Sequence, residues 1–109
     1  MTITTTTIKN AAFAIEHDLF TDPDGANYLV KDGAILRRWE PEHNSGDALD
    51  LAADLHFDIM INDCGTEVFG AYLEHSVYQS NASEDARHCT RFAIVMAAAQ
   101  HGEHLKCQS

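Results

Sequence analysis

Apolar residues recur along this chain in short runs whose period changes, and the changes mark its elements. From Lys9 to Phe20 the positions Ala12, Ile15 and Leu19 repeat at three and four residues, which predicts a short helix. "TDPDG" ends it, since proline and glycine punctuate turns. "ANYLVKDGAILRRW" places two apolar runs around Lys31, Asp32 and Gly33, and Asp and Gly tolerate the positive φ that a tight hairpin needs. In "PEHNSGDALDLAADLHF", Asn44 or Ser45 can cap a helix, and Asp47 falls in its first turn, where the helix dipole favours negative charge. Ala48, Leu51, Ala52 and Leu55 then share its inner face. "FDIMIN" and "TEVFGAYL" flank "DCG" and predict an antiparallel pair, with "SVYQS" as a third short strand. In the last segment Asn81 and Glu84 have capping-box spacing, and Ala86, Cys89, Ala93, Met96, Ala97 and Gln100 recur at helical intervals. That helix is expected to end at Gly102, where a left-handed cap costs glycine little. The threonines of residues 1–8 read as an edge strand or a frayed tail. No internal repeat is visible.

The order helix, hairpin, helix, strands, helix predicts one α+β domain over residues 1–109, with helices packed on an antiparallel sheet. At 109 residues, 45% of them apolar, the chain can bury a modest core. It opens without a cationic start followed by an apolar run, and Phe92 to Ala99 is too short to span a bilayer, so a soluble cytoplasmic protein is expected. The three cysteines show no CxxC spacing and are read as reduced.

Seventeen acidic against seven basic side chains give a formal charge of −10. Such a field repels nucleic acid and anionic lipid, which argues against direct binding to either, and attracts basic protein surfaces. Asp47, Asp50, Asp54 and Asp58 recur at three and four residues and form a candidate acidic stripe for docking on a partner; the plainer reading is a solvated helix face.

His101, His104 and Cys107 form HxxHxxC, a candidate metal set, although zinc asks for four ligands, or three plus water. A solvated tail beyond Gly102 is the simpler reading. Cys89 falls on the apolar stripe and reads as a buried, inert thiol, about 100° around the helix from its neighbour His88. Cys64 lies in a turn beside Asp63 and Glu67, whose charges raise a thiol pKa where catalysis needs it lowered. No GxSxG, P-loop, GxGxxG or HExxH motif occurs, and "DPDG" lacks the ligand series of a calcium loop. No cofactor is implied.

"WEPEHNSGDALDLAADL", with Trp39, Pro41, Gly46, Asp47, Ala48, Leu49, Leu51, Ala52 and Leu55, resembles the WxP and GDALxLAxxL of small phage and prophage proteins of the ABA-sandwich family. "CTRFAIVMAAAQHG" is similar to that family's ATRxAIVxAAAxxG, matching at Thr90, Arg91, Ala93, Ile94, Val95, Ala97, Ala98, Ala99 and Gly102. The resemblance spans about residues 39–102, leaves residues 9–38 as a divergent amino-terminal part, and implies an α/β/α sandwich of phage or prophage origin. It carries no activity with it. The resulting expectation is a non-enzymatic phage accessory protein that binds a basic host protein, such as one in a nucleic-acid-processing complex, as an inhibitor of a defence system of the anti-CRISPR kind. Two alternatives stand beside it: a small metal-binding or hydrolytic protein using the carboxyl-terminal His and Cys, and a structural protein that self-associates.

Overall fold

The computed structural model of the chain describes residues 3–70, 73, 75–80 and 85–107. Its elements run α1 (Thr5–Ala14), β1 (Asp18–Thr21), β2 (Asn27–Lys31), β3 (Ala34–Arg38), α2 (Ser45–Asp54), β4 (Asp58–Ile61), β5 (Gly65–Phe69), β6 (Val77–Ser80) and α3 (Ala86–Cys107). This is an α+β domain in which helices pack against antiparallel strands, as expected. The strands form two three-stranded sheets, β1-β2-β3 and β4-β5-β6, each antiparallel throughout.

The threonine run is neither edge strand nor tail. Thr4 caps α1, its side-chain oxygen accepting from the Thr7 amide at 3.2 Å, so the run forms the first helical turn. The predicted helix over Lys9–Phe20 is also too long. It stops at Ala14, and Leu19 belongs to β1, where it pairs with Leu29. Helical spacing at Ala12, Ile15 and Leu19 concealed this boundary because a helix running into a strand can hold an inward residue at the same interval.

The local signals elsewhere give the elements they predict. Asp32 and Gly33 both take positive φ, 54° and 81°, and join β2 to β3. Asn44 caps α2 by accepting from the Asp47 amide at 2.9 Å. The pair β4 and β5 forms, and β6 adds to β5 as the third strand. The Asn81 and Glu84 capping pair lies outside the described residues; at the start of α3 the Asp85 carboxylate accepts from the Arg87 amide at 2.7 Å.

At Gly102 the structure corrects the sequence reading, because α3 continues through it to Cys107. A Cβ there would overlap the Asn10 carbonyl oxygen of α1. Glycine is required for close helix approach here, not for termination. The alanines beside it serve the same end: Ala11, Ala12, Ala93, Ala97 and Ala98 are fully buried and let α1 and α3 pack backbone to backbone. Leu29, Trp39, Leu51 and Val68 join them in one core.

The fold also contains a repeat that the sequence hid. Helix followed by three antiparallel strands occurs twice, and the second copy begins forty positions after the first. Glu16 and His56 both take left-handed φ, 63° and 54°, just past α1 and α2. The amide of His17 returns to the Ala12 carbonyl, as that of Phe57 returns to Ala52, each at 3.0 Å. Asp22 then accepts from the Asp24 and Ala26 amides, and Asn62 from Cys64 and Gly65, so each first hairpin is held by an Asx side chain. Side-chain identity is mostly lost between the copies while backbone chemistry persists. The helix α3 packs on α1, on α2 and on the second sheet.

Candidate functional site

The four aspartates of the predicted stripe have different roles. Asp47 is a structural pin: one carboxylate oxygen accepts from Arg37 Nη1 at 2.6 Å, the other from the Glu40 amide at 2.9 Å, and only 14% of the side chain is exposed. Asp50 is exposed, 3.7 Å from the same guanidinium. Asp54 is exposed in the last turn of α2, and Asp58 opens β4 opposite Phe69, off the helix altogether.

Asp54 nevertheless belongs to an acidic surface, one assembled from both repeats. A cleft of about 470 Å³ lies where α1 and α2 end, lined by Glu16, His17, Asp54, Leu55, His101 and Leu105 among others. A second, of about 400 Å³, shares Glu16, His17 and Leu105 with it and adds Asp18, Lys31 and Asp32. Four carboxylates therefore rim two adjoining depressions. The helix ends reinforce them. Each carboxyl terminus carries roughly half a negative charge, neither α1 nor α2 has a basic residue in its last turn, and Asp54 and Glu16 sit where cations would be the stabilising choice. The His17 ring is oriented by Nδ1 donating to the Ile15 carbonyl at 2.6 Å.

Glu16 and Asp18 were not among the residues singled out in the sequence, and Asp32 stood out there only as a turn residue. The signal that could have found two of them is positional: Glu16 matches His56 and Asp18 matches Asp58 across the repeat.

Positive charge collects elsewhere, around the start of α2. Arg37 holds Asp47 and Arg38 holds Glu40 at 2.8 Å, a hydrogen bond and charge pairing that raise the Arg38 pKa. Arg91 donates to the Ser45 hydroxyl at 2.9 Å and to the Glu42 carbonyl at 3.3 Å. Burial pushes the Glu42 carboxyl above its ordinary value.

The candidate metal set is spread along α3: His101 is buried and lines the larger acidic cleft, while His104 and Cys107 are exposed. Among the described residues, no group of three His, Cys, Asp or Glu side chains could hold a metal ion. Cys89 is buried, its thiol donating to the Gln79 carbonyl at 3.0 Å, and Cys64 sits in the exposed turn held by Asn62. No described helix is long and apolar enough to cross a membrane.

Comparison with known proteins gives no match: no family model, no curated protein and no solved structure is significantly similar to this chain.

Proposed function

We propose that this is a non-enzymatic binding protein whose acidic end docks on a basic surface of a protein partner. The observation that carries the reading is the rim of Glu16, Asp18, Asp32 and Asp54 around two adjoining clefts at the ends of two helices. Carboxylates placed against helix carboxyl termini raise the local negative potential and oppose helix stability, as expected of charges kept for binding. A long lysine or arginine side chain can lay its aliphatic stem on Leu55 and Leu105 while its head meets the carboxylates. The biological setting we infer is a phage or prophage accessory protein that inhibits a nucleic-acid-processing host defence complex. The net charge of −10 and the sequence resemblance support that setting.

The test is affinity purification from a bacterial host, comparing the parent chain with Glu16→Gln combined with Asp54→Asn. The expected result is a basic, nucleic-acid-processing partner retained by the parent, released by rising salt and lost from the variant. Retention by both proteins alike would sink the acidic docking site.

Self-association is favoured by a separate observation. Every residue of the edge strand β3 is exposed, Ile35 at 59% and Leu36 at 53%, and unpaired strand edges recruit further strands. Sedimentation equilibrium of the parent and Ile35→Lys decides it, with a monomer at all concentrations ending this reading.

A further inference from the structure

At the end of the molecule away from the acidic clefts lies an apolar groove between the amino-terminal halves of α2 and α3 and the edge strand β4, with a volume of about 390 Å³. Ala48, Leu49, Ile59, Ile61 and Ile94 supply its apolar lining, and Arg87 and Arg91 border it. Drug-sized ligand sites fall at about 300–1,000 Å³ and combine apolar walls with a few placed polar groups, so this groove has the size and chemistry of a small one.

Two of its wall residues are unusual. Leu49 is 64% exposed and Ile61 56% exposed, although the chain has charged side chains to place in water. Across the repeat their counterparts are Lys9 and Thr21, both polar. The inward counterparts remain apolar, Ile8 for Ala48 and Leu19 for Ile59. At these two positions an exposed apolar side chain stands on the copy that has the groove and a polar one on the copy that lacks it.

The charge is equally selective. On a chain of net −10 with seven basic residues, two arginines meet at this groove. The Arg91 guanidinium is fixed by Ser45 and the Glu42 carbonyl, while Arg87 is 81% exposed and reaches Asp85 only at 3.7 Å. A fixed and an exposed guanidinium beside an apolar trough match a ligand with an anionic head and an apolar body.

We propose that this groove binds a small amphipathic carboxylate, an alkyl or aryl acid whose body lies on Leu49, Ile59, Ile61 and Ile94 and whose head meets Arg87 and Arg91. This site is independent of the acidic docking surface. The test uses octanoate as the probe, titrated into the full chain while backbone amide resonances are recorded. Shifts should be confined to α2, β4 and the first half of α3. Octanol, which keeps the chain and lacks the charge, should bind at least about fivefold more weakly, the worth of a modest charge-assisted contact. Arg87→Ala should weaken octanoate similarly and leave octanol unchanged, and Leu49→Glu should weaken both, with far-UV circular dichroism confirming that each variant folds. Equal affinity for acid and alcohol, shifts elsewhere, or no shift at millimolar octanoate would each overturn the site. So would a concentration-dependent dimer with the same amides shifting in the absence of probe, because the groove would then be covered by a second copy.

Discussion

Gly102 in the last helix lies so close to the Asn10 carbonyl of the first that no side-chain atom fits between them. Two effects compete when it is replaced by alanine. Helix propensity favours alanine by about 1 kcal/mol. The new methyl, however, overlaps backbone that cannot rotate away, and forced repacking of this kind costs more. We expect Gly102→Ala to lose about 2–4 kcal/mol in urea denaturation. A stabilised variant would show that the helices separate freely at this point.

Asp47 and Asp54 are both aspartates of α2 and should respond in opposite directions. Asp47→Ala strips Arg37 and the Glu40 amide of their acceptor and should cost about 1–3 kcal/mol. Asp54→Lys places a cation at a helix carboxyl terminus and should gain about 0.3–1 kcal/mol while removing a carboxylate from the proposed docking rim. Thermal unfolding and partner retention measured on the same preparations separate the two effects. Stability lost from both substitutions, or partner retention lost with Asp47→Ala and kept with Asp54→Lys, would contradict the reading of Asp47 as structural and the proposal that Asp54 docks.

His56 offers a third check. It holds a left-handed backbone conformation that glycine adopts without strain, and it lies outside the rims of both acidic clefts. His56→Gly should therefore stabilise by a few tenths of a kcal/mol to about 1 kcal/mol, the usual gain from relieving such a position less the entropy added to the unfolded chain. Calorimetry that finds a clear loss would point to a role for the imidazole.

The raised pKa of Glu42 gives a pH dependence with a definite sign. Its neutral form is favoured in the fold, so the native chain keeps this proton to higher pH than the unfolded one. This contribution is harmless well below the ordinary glutamate value of 4.5 and becomes destabilising as the pH rises through the folded value. Glu42→Gln should accordingly raise the melting temperature at pH 7 and leave it unchanged near pH 3.5. An equal rise at both pH values would assign the effect to packing.

How much of this was legible beforehand depended on the distance over which each feature is determined. Asp32 with Gly33, and Asn44 with Asp47, form within a few residues, and their turn and cap were readable. Gly102 was misread because its partner Asn10 is at the other end of the chain, and a glycine in a sequence gives no sign of what approaches it. The start of α1 was missed because Thr4 acts through one hydroxyl in a run of identical residues. The acidic clefts draw on Glu16, Asp18, Asp32 and Asp54, which come from both repeats and have no common spacing. The repeat was hidden for a related reason: backbone turns preserve it where side chains do not.

The shared helix α3 sets the timing of folding. Neither αβββ unit has a complete wall of its own, and the surfaces on which α1, α2 and the second sheet close belong to a segment synthesised after all of them. The contacts that complete the core join residues as far apart as Asn10 and Gly102, and pairings this distant in sequence are slow to form. On the ribosome both units emerge with their apolar faces uncovered and wait for the same helix. Until it arrives the apolar faces of both units have no covering helix, the kind of exposure that makes incomplete chains prone to aggregation.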